Sequence, residues 1–235
     1  MTVLTGLKSR LRLARLGLVT DRAGEADWAD FCRAVFRAGV DLLLIDQSDL
    51  DRSKLSQAVQ QAARAGLGRG RIVGLRQGDP TEGPADLVHL SRRGPTPDSA
   101  PGQPWLGLSA EAPDELEAAL ADPRAAYVTV GPWRGPGPGD DGSGPDLSRL
   151  AARLAPPADP ASPPWFATGG VSWDDREAIW AAGARRVILR RDVLRAPDPV
   201  ARAAAWADWL RQAWRADQTL SDYRRAVRWA EGSGR

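Results

Sequence analysis

Cysteine and histidine each occur once in the 235 residues, as Cys32 and His89. A single cysteine excludes an internal disulfide and a thiolate-rich metal centre. A zinc enzyme or a Cys–His nucleophilic pair would need these two residues together, and they fall in different segments. Cys32 lies in a helical pattern, where it reads as a small buried hydrophobe. Lysine is nearly absent: of 32 basic residues only Lys8 and Lys54 are lysine. Neither follows an expected strand, so a strand-end Schiff base has no residue to form it, and no P-loop is present. No run approaches the ~18 consecutive apolar residues of a membrane helix. The opening MTVLTGLKSRLRLARL lacks the apolar core and small-residue cleavage site of a secretory signal, so the expected location is the cytoplasm.

What is there is the composition of an ordinary globule, 43% hydrophobic and 26% charged. The formal net charge is +2, with 30 acids interleaved among the arginines. No sustained basic stripe forms, and nucleic acid is not an expected partner. Short apolar or β-branched runs alternate with amphipathic stretches, the pattern of βα units. Strands are expected at 16–20, 40–45, 71–75, 86–90, 104–108, 126–130, 164–168 and 186–190. Helices are expected near 25–38, 52–65, 111–121, 146–154, 172–182 and 198–215. Eight strands in this span fit a compact α/β fold, a single (β/α)8 TIM barrel, over residues 1–215. An open doubly wound sheet is the alternative, but TDRAG after the first strand carries no Gly-rich phosphate fingerprint. Residues 216–235 form a C-terminal helical extension, in which Leu220, Tyr223, Val227 and Ala230 of 219–231 share one helix face. The stretch 131–145 reads as a Gly/Pro-rich loop, either a lid or an insertion.

Several segments fall in a familiar order: LGLVTD, AGVDLLLI, ADLVHL, WLGLSAEAPDELEAAL, AAYVTVGP, ATGGVS and AAGARRVIL. Over about residues 16–205 the chain resembles the thiamin phosphate synthase and thiazole tautomerase family. The resemblance implies a (β/α)8 barrel, commonly a dimer. Its synthases join hydroxymethylpyrimidine diphosphate to thiazole phosphate with magnesium, and its tautomerases bind thiazole phosphate. It also implies site residues, and four patches of them differ here. Where the family carries Gln-x-Arg-x-Lys after the second strand, this chain has Leu44, Asp46 and Ser48. A carboxylate there repels a diphosphate. The Asn-Asp after the third strand has no counterpart, Asp79 being displaced beside Pro80. The His-Leu-Gly-Gln-x-Asp after the fourth strand appears as His89, Leu90, Ser91, Arg92, Arg93 and Gly94, with arginines where a divalent cation would sit. The Thr-x-Thr-Lys after the sixth strand is replaced by Pro136, Gly137, Pro138 and Gly139.

What remains is part of one anion site. Gly169 and Gly170 allow the close backbone approach that a phosphate needs, or simply make a tight turn. Arg190 and Arg191 reach an anion at the end of the last strand, or are solvated or paired with Asp192. Ser109 matches a family serine near the diphosphate, or caps the helix near Pro113. His89 is a hydrogen-bonded core histidine or a base, with Asp46 as the other candidate base. No cofactor and no metal site is expected. Trp206, Trp209 and Trp214 form a helical stripe that Tyr223 and Trp229 extend, either a helix packed on the barrel exterior or the surface of a homodimer or protein-partner interface. Three readings follow: a divergent barrel without synthase activity that binds at most a small phosphorylated ligand, an active isomerase on such a ligand, or an interaction module whose pocket Trp133 plugs.

Overall fold

The computed structural model describes residues 6–46, 50–76, 85–90, 105–135 and 142–232. Eight parallel strands close into a barrel: β1 (Leu16–Thr20), β2 (Leu42–Ile45), β3 (Ile72–Arg76), β4 (Leu87–Leu90), β5 (Trp105–Ala110), β6 (Ala125–Val130), β7 (Trp165–Ala167) and β8 (Val187–Leu189). Each pairs with the next and β8 returns to β1, so the sheet has no edge. Strands buried on both faces have no polar face to alternate with, so they read as near-continuous apolar runs. The stretch LLLI of β2 is buried at every position. Helices α2 (Trp28–Ala38), α3 (Arg52–Gly66), α4 (Pro113–Ala121), α5 (Gly144–Leu154), α6 (Arg176–Ala181) and α8 (Pro199–Ala216) lie where amphipathic stretches were expected. The expected helix 172–182 begins as a 3-10 turn at Trp173–Asp175. The sequence pattern did not suggest α1 (Leu7–Leu13) or the single turn α7 (Arg191–Leu194) after β8.

Alternation along the strands builds two layers. Leu18, Leu43, Ile45, Val73, Val128 and Leu189 face outward and pack with Trp28, Phe31, Val35, Phe36 and Trp206 of the helices. Val19, Leu42, Leu44, Ile72, Leu87, Tyr127, Phe166 and Ile188 fill the barrel, and Leu11 of α1 belongs to the same cluster. Gly107 makes room inside: a Cβ there would lie 2.3 Å from Cζ of Tyr127. Buried Cys32 is part of the outer layer, and burial pushes its thiol up to about 12, which keeps it an inert hydrophobe.

The helix α9 (Gln218–Gly232) buries Leu220, Tyr223 and Val227 in a cluster with Trp214, Leu13 and Trp180. It also covers Arg186, which is 1% exposed. That guanidinium donates to the Arg12 carbonyl at 2.9 Å and to the Tyr223 hydroxyl at 3.2 Å, and lies against the Trp214 and Tyr223 rings. Part of the aromatic stripe is therefore covered within the chain, while Trp209 is half-buried. Trp206 and Trp214 are buried, the first donating to Asp192 at 2.8 Å and the second to the Arg185 carbonyl at 2.6 Å. Surplus aromatic surface, the argument for an interface, is not found at Trp206, Trp214 or Tyr223; the Trp229 side chain lies outside the described residues. Ending the chain after Gln218 removes three buried side chains worth about 1.5–3 kcal/mol each. The melting temperature should fall by ~5 °C or more, read by differential scanning calorimetry. An unchanged melt would show α9 to be a solvated appendage.

Candidate functional site

The strands run parallel, so their C-terminal ends gather at one mouth. A cavity of about 1150 Å³ opens there, and its wall includes Gly169, Gly170, Arg190, Arg191 and Ser109. All five residues expected at the site thus meet in one place. His89, Arg76 and Thr129 also line it, and Trp133 does not. Trp133 is buried in the outer layer, so it does not plug the pocket.

After β7 the chain turns back through Gly169 and Gly170 at φ 79° and 75°, the left-handed region that glycine enters without strain. A Cβ on Gly169 would sit 2.7 Å from Cα of Pro132, and one on Gly170 2.9 Å from Cβ of Arg134. The loop is pinned from that side: Trp133 N–H donates to the Thr168 carbonyl at 2.8 Å and Arg134 N–H to the Gly169 carbonyl at 3.0 Å. The glycines therefore do make the tight turn. Among the described residues no acceptor takes the N–H groups of Gly169, Gly170 or Val171, all three of which line the cavity. A turn with unused donors facing a cavity is a place for an anion.

The two arginines after β8 part company. Arg190 donates to Asp46 at 2.8 Å and to Asp21 at 2.9 Å, so its charge is used within the wall. The hydrogen bond to Asp21 pushes Arg190 up, and the same bond draws Asp21 below the usual carboxylate range. Arg190 thus joins strand ends at the cavity wall. Neither arginine pairs with Asp192, whose carboxylate takes the Trp206 indole and the Trp173 N–H at 3.1 Å. Arg191 is exposed at the rim, with no side-chain partner among the described residues. Arg76, the last residue of β3, lies one residue beyond the expected strand 71–75. It donates to Asp46 at 2.8 Å, onto Oδ2, the oxygen that Arg190 also uses.

Deeper in the cavity, His89 Nε2 lies 3.0 Å from Ser109 Oγ and Nδ1 lies 3.0 Å from the Tyr127 hydroxyl. Thr129 Oγ1 is 3.2 Å from Ser109 Oγ. Ser109 therefore faces His89 and Thr129, and does not cap α4. Burial, and then the charge of Arg76, push His89 down to about 3, so the ring is neutral.

Magnesium, which the resemblance implies, finds no fitting donor set among the described residues. Asp21 and Asp46 are held by Arg190 and Arg76, Glu25 by Arg22 at 2.7 Å, and Asp192 by N–H donors, which leaves Glu111 alone on the cavity wall, short of the three carboxylate, histidine or cysteine groups a metal would need. Positions Ser48, Asp79, Ser91 to Gly94 and Pro136 to Gly139 lie outside the described residues.

A closed eight-stranded barrel with its polar cavity at the strand C-termini defines a (β/α)8 protein with its site at the usual end of that fold. The Thiamine monophosphate synthase (TMP-TENI) family matches residues 16–193. The chain is 32% identical over 210 residues to the thiamine-phosphate synthase of Acidothermus cellulolyticus, covering 86% of this chain and 97% of that one. It is 33% identical to that of Thermobifida fusca over 207 residues, 84% and 93% of the two chains. The thiamine phosphate pyrophosphorylase structure from Pyrococcus furiosus superposes with a TM-score of 0.71 at 14% identity, over 88% of this chain and 98% of that one. This chain belongs to the thiamine monophosphate synthase family.

A histidine kept neutral by burial makes stability depend on pH. The unfolded chain takes up a proton near the ordinary value of 6.5, which the folded chain refuses until about 3. The stabilisation is therefore complete above 6.5 and is lost as pH falls, approaching about 1.4 kcal/mol per pH unit. Urea unfolding at pH 5.0 should give a free energy about 2 kcal/mol below that at pH 7.5, a window above most carboxylate titration. His89→Asn should abolish the difference. A difference that persists in the variant would assign it to other groups.

Proposed function

We propose that this chain binds a small phosphorylated ligand at the mouth of the barrel and does not carry out the reaction for which its relatives are named. The observation that carries the reading is the Asp46 carboxylate, one oxygen of which accepts from both Arg76 and Arg190. Two cations of this wall, Arg76 and Arg190, are already neutralised by an internal anion. Freeing them would cost both ion pairs and leave a carboxylate facing the incoming charge. A single phosphate has a separate place, the unused N–H groups of Gly169 to Val171 with Arg191 at the rim. Charge-assisted bonds of this kind contribute about 1.5–3 kcal/mol each. An isomerase using Asp46 or His89 as base is less well supported, since Asp46 is committed to two arginines and the His89 ring to neighbours on both nitrogens.

Two measurements test this. Phosphate should raise the melting temperature above that in chloride of equal ionic strength, binding at 100 times the dissociation constant adding about 2.7 kcal/mol. Arg191→Ala should weaken phosphate about tenfold, a loss of ~1.4 kcal/mol. Purified protein supplied with hydroxymethylpyrimidine diphosphate, thiazole phosphate and magnesium should form no thiamin phosphate. Turnover that a cavity substitution abolishes would overturn the loss of synthase activity, and a phosphate shift no larger than that of chloride would overturn the phosphate site.

A further inference from the structure

The floor of the cavity holds a chain of four hydrogen-bonding side chains whose protons can be placed by counting donors and acceptors. Tyr127 is 0% exposed, and among the described residues its hydroxyl meets only His89 Nδ1, at 3.0 Å. Were Nδ1 to carry the ring proton, the phenol would accept it and its own O–H would be buried without an acceptor, at a cost of about 1–3 kcal/mol. The phenol therefore donates to Nδ1, which puts the single proton of the neutral ring on Nε2. Nε2–H then donates to Ser109 Oγ at 3.0 Å. Among the described residues the Thr129 hydroxyl meets Ser109 Oγ alone, and the contact geometry, 3.2 Å, has Thr129 as the donor. Both lone pairs of Ser109 are now taken. Its own proton is left, and the direction open to it is the cavity that it lines.

We infer that Tyr127 sets the sense of this chain, so that Ser109 is a fixed hydrogen-bond donor and the cavity floor selects a ligand that presents an acceptor there. Suitable groups are a ring nitrogen without hydrogen, a carbonyl or an ester oxygen. The same count shows that Ser109 is not a nucleophile primed by His89, because Nε2 has no lone pair to take its proton. Tyr127 is a positioning residue, acting through His89. Its ring is held by the space over Gly107 and by an edge contact to Phe166, with centroids 5.5 Å apart. Arg76, the register neighbour of His89 across β3 and β4, adds the charge that keeps the ring unprotonated.

The inference rests on the preceding reading only in that the same cavity receives the ligand. Because His89 is the only histidine, ¹⁵N labelling of imidazole gives one pair of ring resonances. At pH 7.5 the full chain should show the Nε2–H tautomer, and Tyr127→Phe should lose that bias. Pyridine and pyrrole, of similar size and opposite hydrogen-bonding sense, then probe the floor through the His89 resonances. Pyridine should bind at least three times as tightly as pyrrole, and Ser109→Ala should bring the ratio close to one. An Nδ1–H tautomer in the unmodified chain, or equal or tighter binding of pyrrole, overturns the inference. Binding of neither fragment overturns the ligand requirement while leaving the phosphate site at Gly169 to Val171 standing. Should Tyr127→Phe not fold, the unmodified spectrum and Ser109→Ala still decide.

Discussion

Two arginines converge on one oxygen of Asp46, and the character of the barrel mouth depends on that meeting. Without the carboxylate, the guanidinium groups of Arg76 and Arg190 would repel each other across a wall shared by β2, β3 and β8. Like charges at ~4 Å near a protein surface oppose each other by about 4 kcal/mol. With it, Asp21, Arg190, Asp46 and Arg76 alternate in sign across the ends of four strands. The cluster ties β1, β2, β3 and β8 together at their C-terminal ends. The loop from Gly169 to Val171, with the exposed Arg191 and Arg195 on the same wall, then offers an anion donors that no described residue takes.

The same barrel is graded along its axis. Leu11, Leu42, Ile72, Leu87 and Ile188 give an apolar base, and His89, Ser109, Thr129 and Thr168 put polar groups nearer the mouth. Tyr127 stands at the boundary, with its ring in the apolar layer and its hydroxyl in the polar one. Outside, the chain spends its aromatic residues on covering polar and charged groups. Trp214 and Tyr223 enclose Arg186, and Trp206 closes on Asp192. A buried arginine of this kind stabilises only while its cover is complete, which makes α9 part of the packing of the barrel base.

The fold was legible because parallel strands buried on both faces leave uninterrupted apolar runs, as in VDLLLI, with amphipathic stretches between them. Gly169 and Gly170 were legible for a similar reason, since adjacent glycines after an apolar strand announce a turn that other residues resist. What could not be read was side-chain company. Asp46 in the sequence is a lost cation; in the fold it is the partner of two cations supplied by β3 and β8, far away along the chain. Arg190 reads as a free cation, and only the closure of β8 on β1 brings it to Asp21. Tyr127 reads as one more strand residue, because period-two alternation does not say that Gly107 clears a space for its ring. The tryptophan stripe shows which face is apolar and not how much of it the chain itself covers, which in the fold takes in Trp206 and Trp214 and leaves Trp209 half-buried. The helix α1 had a signal in Leu7 and Leu11, one turn apart, which the surrounding basic residues obscured.

The central role given to Asp46 is tested most directly by calorimetric titration of the unmodified chain and of Asp46→Asn with inorganic phosphate and with pyrophosphate. If Asp46 withholds Arg76 and Arg190 from an incoming anion, the unmodified chain takes pyrophosphate no more tightly than phosphate. The variant should then gain at least tenfold for pyrophosphate, about 1.4 kcal/mol, while its affinity for phosphate changes little. Pyrophosphate bound ten times more tightly than phosphate by the unmodified chain, or an Asp46→Asn variant with the same ratio as its parent, would contradict the assignment.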